Sequence, residues 1–180
     1  MKLYSVLGCV LLLTGCQKPL KVYYNVPAFE LTDQRGQSFG SAQLLGHVWV
    51  ADFVFTNCEA SCPRMSSRMR ALQKATDPSV RLVSFSVDPD RDTPPALAAY
   101  AEKYNADPSR WSFLTGSKDV LNMLDRDTFK LGTVGTEIEH STRFALVDRQ
   151  GRIRGYYGIA EGNPVDKISH DVALLEKEPA

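Results

Sequence analysis

The stretch His47-Val48-Trp49-Val50-Ala51-Asp52-Phe53-Val54-Phe55-Thr56, followed by Asn57-Cys58-Glu59-Ala60-Ser61-Cys62-Pro63, decides the fold. A nearly continuous apolar run of this length reads as a strand buried on both faces, because a half-exposed strand would alternate. Pro63 suits the first turn of a helix, where its missing N–H costs nothing. It also biases Cys62 away from helical angles, which puts Cys62 near the N-cap and Cys58 in the loop before it. A strand therefore delivers two thiols to its end, and a helix begins beside them.

The flanking patterns supply the other elements. Phe29-Glu30-Leu31 and Gln37-Ser38-Phe39 flank Asp33-Gln34-Arg35-Gly36, a small hairpin. After Pro63, Met65, Met69 and Leu72 recur at helical spacing. Val80 to Val87 alternates as a strand, and a helix follows Pro94-Pro95 through Leu97, Ala98, Tyr100 and Ala101. Another helix covers Lys118 to Phe129, with Val120, Leu121 and Leu124 inward. Arg143 to Val147 and Ile153 to Tyr157 are strands joined at Asp148-Arg149-Gln150-Gly151, and Val165 to Leu175 is the last helix. Strand, helix, strand, helix, then a hairpin and a helix is the thioredoxin-like order. The expected fold class is α/β, thioredoxin-like with an N-terminal β-hairpin.

The 180 residues suit one domain, and an apolar content of 43% is ample for a core. With 21 basic and 21 acidic side chains the formal charge is zero, so no basic field points to nucleic acid. Met1-Lys2 gives a positive start, and Leu3 to Leu13 is apolar but shorter than the roughly 20 residues of a membrane span. It ends in Leu13-Thr14-Gly15-Cys16, which resembles the lipobox of bacterial lipoproteins. On that reading residues 1–15 are a signal peptide, 16–27 a tether lipidated at Cys16, and 28–180 the thioredoxin-like domain. The expectation is an exported chain, lipid-anchored to a bacterial membrane and facing the periplasm or the cell exterior.

Export fixes the cysteine arithmetic. Cys9 lies in the discarded segment and Cys16 is consumed by lipid, leaving Cys58 and Cys62 in an oxidising compartment. An idle pair there closes into a disulfide, so something must use these thiols or keep them reduced. A helix N-terminus favours thiolate, which is both nucleophile and metal ligand. Two thiolates are soft ligands that select copper(I), and an imidazole can complete a trigonal site. Structural zinc prefers four protein ligands, and the sequence has no second cysteine pair. A static disulfide and a catalytic redox pair stay open as alternatives.

Three histidines are present, His47, His140 and His170. His47 opens the strand that ends at the thiols and so belongs at the far end of the sheet. His170 sits in the last helix, where a solvated or packed role is the default. His140 stands in the loop before the Arg143 to Val147 strand, which in a thioredoxin-like sheet comes close to the thiols.

Several segments in order, from about Trp49 to Gly158, carry a family resemblance. They are Phe55-Thr56-Asn57-Cys58 through Cys62-Pro63, Ser86-Val87-Asp88-Pro89-Asp90-Arg91-Asp92-Thr93-Pro94, Phe113-Leu114-Thr115-Gly116, His140-Ser141-Thr142, and Leu146-Val147-Asp148 with Gly151. Together they resemble the Sco/SenC family of copper proteins used in assembling cytochrome c oxidase. The resemblance implies Cys58, Cys62 and His140 as ligands of one copper ion, Cu(I) with Cu(II) as a second state. It implies a metallochaperone rather than an enzyme, delivering copper to the CuA centre in the copper-bearing subunit of the oxidase. Another copper chaperone or a thioredoxin-like reductant is the expected upstream partner, with the membrane met through the lipid anchor and no nucleic acid. The rival reading is a thiol-disulfide reductant that keeps the CuA-site cysteines reduced. The family loop usually reads Cys-Pro-Asp-x-Cys-Pro, whereas Glu59 and Ala60 stand here at the Pro and Asp positions. That departure loosens the loop and removes an acid, which bears on affinity, potential and partner docking.

Two further segments have structural readings. Asp92 or Thr93 is expected to cap the helix at Pro94-Pro95, with Arg91 paired to a nearby carboxylate. Met65, Met69, Trp49 and Trp111 read as core side chains rather than ligands. A peroxidatic site is disfavoured, because Thr56-Asn57-Cys58 lacks the Thr-x-x-Cys spacing.

Overall fold

A computed structural model describes residues 19–131 and 142–179. Its centre is strand β3 (Trp49–Val54), where every side chain is buried. Alternation along β3 sends Trp49, Ala51 and Phe53 to one face of the sheet and Val50 to the other. Both faces must therefore be covered, and the chain supplies two cores.

The first core lies under α1 (Cys62–Ala75), α2 (Pro94–Lys103) and α4 (Pro164–Leu175), where Met65, Met69, Leu72, Leu97, Ile168 and Val172 meet Val50, Leu82 and Phe113. Met65 and Met69 are fully buried there, so they pack as the helical spacing indicates. The second core gathers Phe53, Phe85, Phe129 and Trp49 beneath α3 (Lys118–Asn122) and the π-helical turn Met123–Thr128 that continues it. Phe53 stacks on Phe85 with centroids 5.0 Å apart, and Phe129 meets Phe53 edge-on at 5.5 Å.

Among the described residues the sheet has seven strands in the order β2-β1-β5-β4-β3-β6-β7. These are β1 (Glu30–Asp33), β2 (Ser38–Gly40), β4 (Arg81–Ser86), β5 (Trp111–Thr115), β6 (Arg143–Val147) and β7 (Ile153–Gly158). β4 runs parallel to both β3 and β5, whereas β6 is antiparallel to β3. Strand β5, which the sequence pattern did not assign, joins the N-terminal hairpin to the sheet through Thr32–Thr115 and Asp33–Leu114. The fold is thus α/β and thioredoxin-like, with the hairpin extending its sheet.

Both hairpin turns use one device. Asp33 Oδ1 accepts from the N–H of Arg35 and Gln37, and Asp148 Oδ1 accepts from those of Gln150 and Arg152. The chain then turns at Gly36 and Gly151, with φ of 75° and 74°, a region that side chains with a Cβ rarely adopt.

Asp148 also anchors a wider cluster. Its Oδ2 accepts from Arg152 and from the buried Arg154, whose guanidinium continues to Glu178 and to the carbonyls of Leu20 and Lys21. Tyr23 N–H donates to Ile153 O, Ile153 N–H to Tyr24 O, and Val26 N–H to Gly151 O. Residues 20–26, expected as part of a tether, are therefore laid along the outer edge of β7.

Burial pushes the Asp148 carboxyl up, but hydrogen bonds from the Arg152 backbone and from Arg154 and Arg152 more than offset it, leaving its pKa below the usual 3.8. The unfolded chain then binds the proton more readily, so this stabilisation is full above pH 3.8 and disappears as pH falls through the lower folded value. Asp148→Asn is expected to lower the melting temperature at pH 7 and to flatten its decline below pH 4, as read by calorimetry across an acid series.

Candidate metal centre

Helix α1 begins at Cys62 itself, one residue before Pro63, with Ser61 as its N-cap residue. Cys58 lies in the loop between β3 and α1, its N–H donating to Phe55 O at 3.2 Å. The Cys62 N–H points at Cys58 Sγ, 3.4 Å away, and the two thiols hydrogen-bond to each other. Burial alone would raise the Cys58 pKa. The Cys62 thiol and the backbone of Cys62, Ala60 and Ser61 outweigh it and hold the pKa below the ordinary value. Cys62 is fully buried, and that burial, with the hydrogen bond to Cys58, drives its own thiol well up. One sulfur is half-exposed and thiolate-prone, and the other is enclosed and protonated.

Strand β6 places the other side of this region. Ala51 pairs with Ala145 and Arg143 with Gly158, so the start of β6 lies at the thiol end of the sheet. Thr142 is also at that end, its carbonyl accepting from Ile159 N–H. His140 and Cys16 lie outside the described residues. Among the described residues, no three His, Cys, Asp or Glu side chains form a metal-binding group. The adjacent pair of sulfurs supplies two soft donors.

The model of the SCO1/SenC family matches residues 18–175. The chain belongs to the SCO1/SenC family. A SCO1 protein homolog of Bacillus subtilis (strain 168) is 38% identical over 157 residues, which are 83% of this chain and 81% of the relative. Among solved structures, a SCO1/SenC family lipoprotein from Bacillus anthracis (strain Ames) is similar with a TM-score of 0.78 at 37% identity, over 86% of this chain and 96% of that one. BsSco, described as a Sco family cytochrome c oxidase assembly protein with a disulfide switch, gives a TM-score of 0.79 at 34% identity, over 90% and 100%.

In this SCO1/SenC chain the other histidines are away from the thiols. His47 precedes β3 at the opposite end, its Nδ1 3.0 Å from Ser79 O, and His170 is exposed on α4. Trp111 is core, its Nε1–H donating to Ser84, and Trp49 packs against Phe129. Arg91 pairs with Asp88 as expected. Thr93 occupies the N-cap of α2 without a side-chain cap bond.

Asp92 differs from the expected cap. It is 1% exposed, and its Oδ1 accepts from both the N–H and the hydroxyl of Thr56, while Oδ2 accepts from Ser86. It fastens the start of the cysteine loop to the end of β4. Sequence spacing concealed this pairing, because 36 residues separate Asp92 from Thr56. Asp92→Asn turns one acceptor oxygen into a donor facing an N–H or hydroxyl. A loss of about 1–3 kcal/mol in denaturant stability is expected, with faster amide exchange at Thr56.

Sequence reading also passed over Asp52 as a polar residue. It is fully buried on the α1 side of β3, accepting from Ser84, and its Oδ2 has no hydrogen-bond partner among the described residues. Burial pushes its pKa up to about 7, which the Ser84 bond only partly opposes. Between pH 3.8 and about 7 the folded chain keeps a proton that the unfolded chain releases. Stability therefore falls as pH rises through that window. Asp52→Asn should remove this slope in unfolding titrations of the reduced, metal-free chain.

Proposed function

We propose that the chain binds one copper ion through Cys58, Cys62 and His140 and passes it to the CuA centre of cytochrome c oxidase. The observation that carries the reading is the juxtaposition of two thiols at the start of α1, one already leaning toward thiolate. Paired thiolates favour copper(I), and a neutral imidazole completes a trigonal set. The start of β6 at the thiol end supports His140 as that third donor, because only Ser141 separates it from Thr142. Copper is cargo here. Cys58 is half-exposed, so an incoming ligand from the recipient reaches the ion on its side and displaces the donors in turn. The assembly role described for BsSco supports the oxidase as recipient. Residues 1–15 act as signal peptide and Cys16 as lipid attachment point, consistent with the lipoprotein relative.

The unequal thiols favour one second reading, a reductant of the recipient's cysteines. Cys58 thiolate attacks the target disulfide and releases one target thiolate, which takes up a proton. Cys62 then loses its proton and displaces the second target sulfur, leaving a Cys58–Cys62 disulfide and two reduced target thiols. This route does not use His140.

Copper(I) titration of the reduced chain distinguishes them. One ion bound tightly, lost in Cys58→Ser and weakened by about tenfold or more in His140→Ala, is expected for the carrier. Binding indifferent to His140→Ala, with oxidase assembly rescued by that variant but not by Cys58→Ser, would transfer the function to the reductant.

A further inference from the structure

We propose that the outer edge beside β7 is a membrane-docking face, in which Val22, Tyr23, Tyr24 and Leu45 enter the headgroup region of an anionic bilayer. Among the described residues, these four are the large hydrophobic side chains left exposed. They are not scattered. Val22 to Tyr24 lie on the segment paired with β7, and Leu45 borders the same small cavity as Val26 and Gly151.

The chemistry suits an interface between water and lipid. Tyrosine has an apolar ring and a polar tip, a combination enriched at headgroup depth. The Lys21 Nζ sits 4.7 Å from the Tyr23 ring centroid, and the Lys130 Nζ 5.7 Å from that of Tyr24. Each ammonium is thereby held where an anionic headgroup would meet it. Glu178, an acid at this edge, is already committed to Arg154.

The length of chain before this face names the occupant. The docking rests on the reading that Cys16 carries lipid. Only Gln17, Lys18 and Pro19 separate Cys16 from Leu20, whose carbonyl is fixed by Arg154 at 2.8 Å. Four residue steps, fully extended, span at most about 14 Å. A lipid at Cys16 therefore cannot hold the domain far above the surface, and this edge is the part brought down first. A second copy of the chain has no comparable constraint driving it onto the same residues. The cysteine loop leaves β3, two strands from β7, a lateral distance of about 10 Å. Docking thus keeps the thiols within a few nanometres of the membrane.

Hydroxyl-radical footprinting of the full lipidated protein tests this, on vesicles of phosphatidylcholine with and without phosphatidylglycerol. Exposed His170 on α4 serves as the internal reference. Labelling of Tyr23, Tyr24 and Leu45 relative to His170 is expected to be about threefold or more lower on the anionic vesicles, and to recover when Lys21 and Lys130 are both changed to Gln. Equal labelling on both vesicle types, with acylation of Cys16 confirmed by intact mass, would overturn the docking while leaving the anchor intact. Protection that grows with protein density on the vesicle would overturn it in favour of a second copy. An unmodified Cys16 in the mass spectrum would remove the premise itself and overturn the proposal on separate grounds.

Discussion

Between the two helical layers, Trp49–Val54 offers no side chain to water on either face. A strand in that position needs a neighbour on each side and a core above and below it, which β4, β6 and the two aromatic and aliphatic clusters provide. Its end is held in place by that packing. The cysteine loop departs from a fixed strand, is fastened by Thr56 to Asp92, and closes onto a helix whose first residue is Cys62.

That setting makes two identical side chains unequal. Cys62, the first residue of α1, is fully enclosed, while Cys58 collects N–H donors at the helix start. A metal joining both would neutralise the asymmetry, because each sulfur would then be held as thiolate. Without metal the same asymmetry sets an order of attack, Cys58 first and Cys62 second. The proposed carrier and the rival reductant would therefore draw on one and the same local electrostatic gradient.

Much of this was readable in the sequence, and the omissions share a cause. β3, α1, β4 and the β6–β7 hairpin announce themselves by local pattern, by Pro63 and by the Asp148 to Gly151 turn. Strand β5 does not, because Trp111-Ser112-Phe113-Leu114-Thr115 is only five residues long and its place is set by distant pairing, with β1 on one side and β4 on the other. Lys118 to Phe129 reads as one helix, yet it relaxes into π-helical turns from Met123, where Leu124 and Phe129 settle into the second core. Asp92 looks like a cap because helix starts favour aspartate, but Thr56 just beyond β3 and Ser86 at the end of β4 claim its two oxygens instead. The candidate ligands Cys58 and Cys62 were legible as neighbours. Their unequal environments depend on tertiary burial that no spacing reveals.

The strip from Tyr23 to Val26 also bears on how the sheet ends. An open seven-stranded sheet has two borders with unpaired backbone groups, each a template for another chain. On one side the border is β2, only three residues long. On the other, the strip occupies the first part of β7, satisfying Ile153 and Gly151. A chain trimmed past Val26 would bare that backbone while keeping every fully buried residue of both cores and losing only the partly buried Leu20 and Val26 that pack against them. Such a molecule would fold and then self-associate along β7, so the short N-terminal strip is as much a guard against aggregation as a connection.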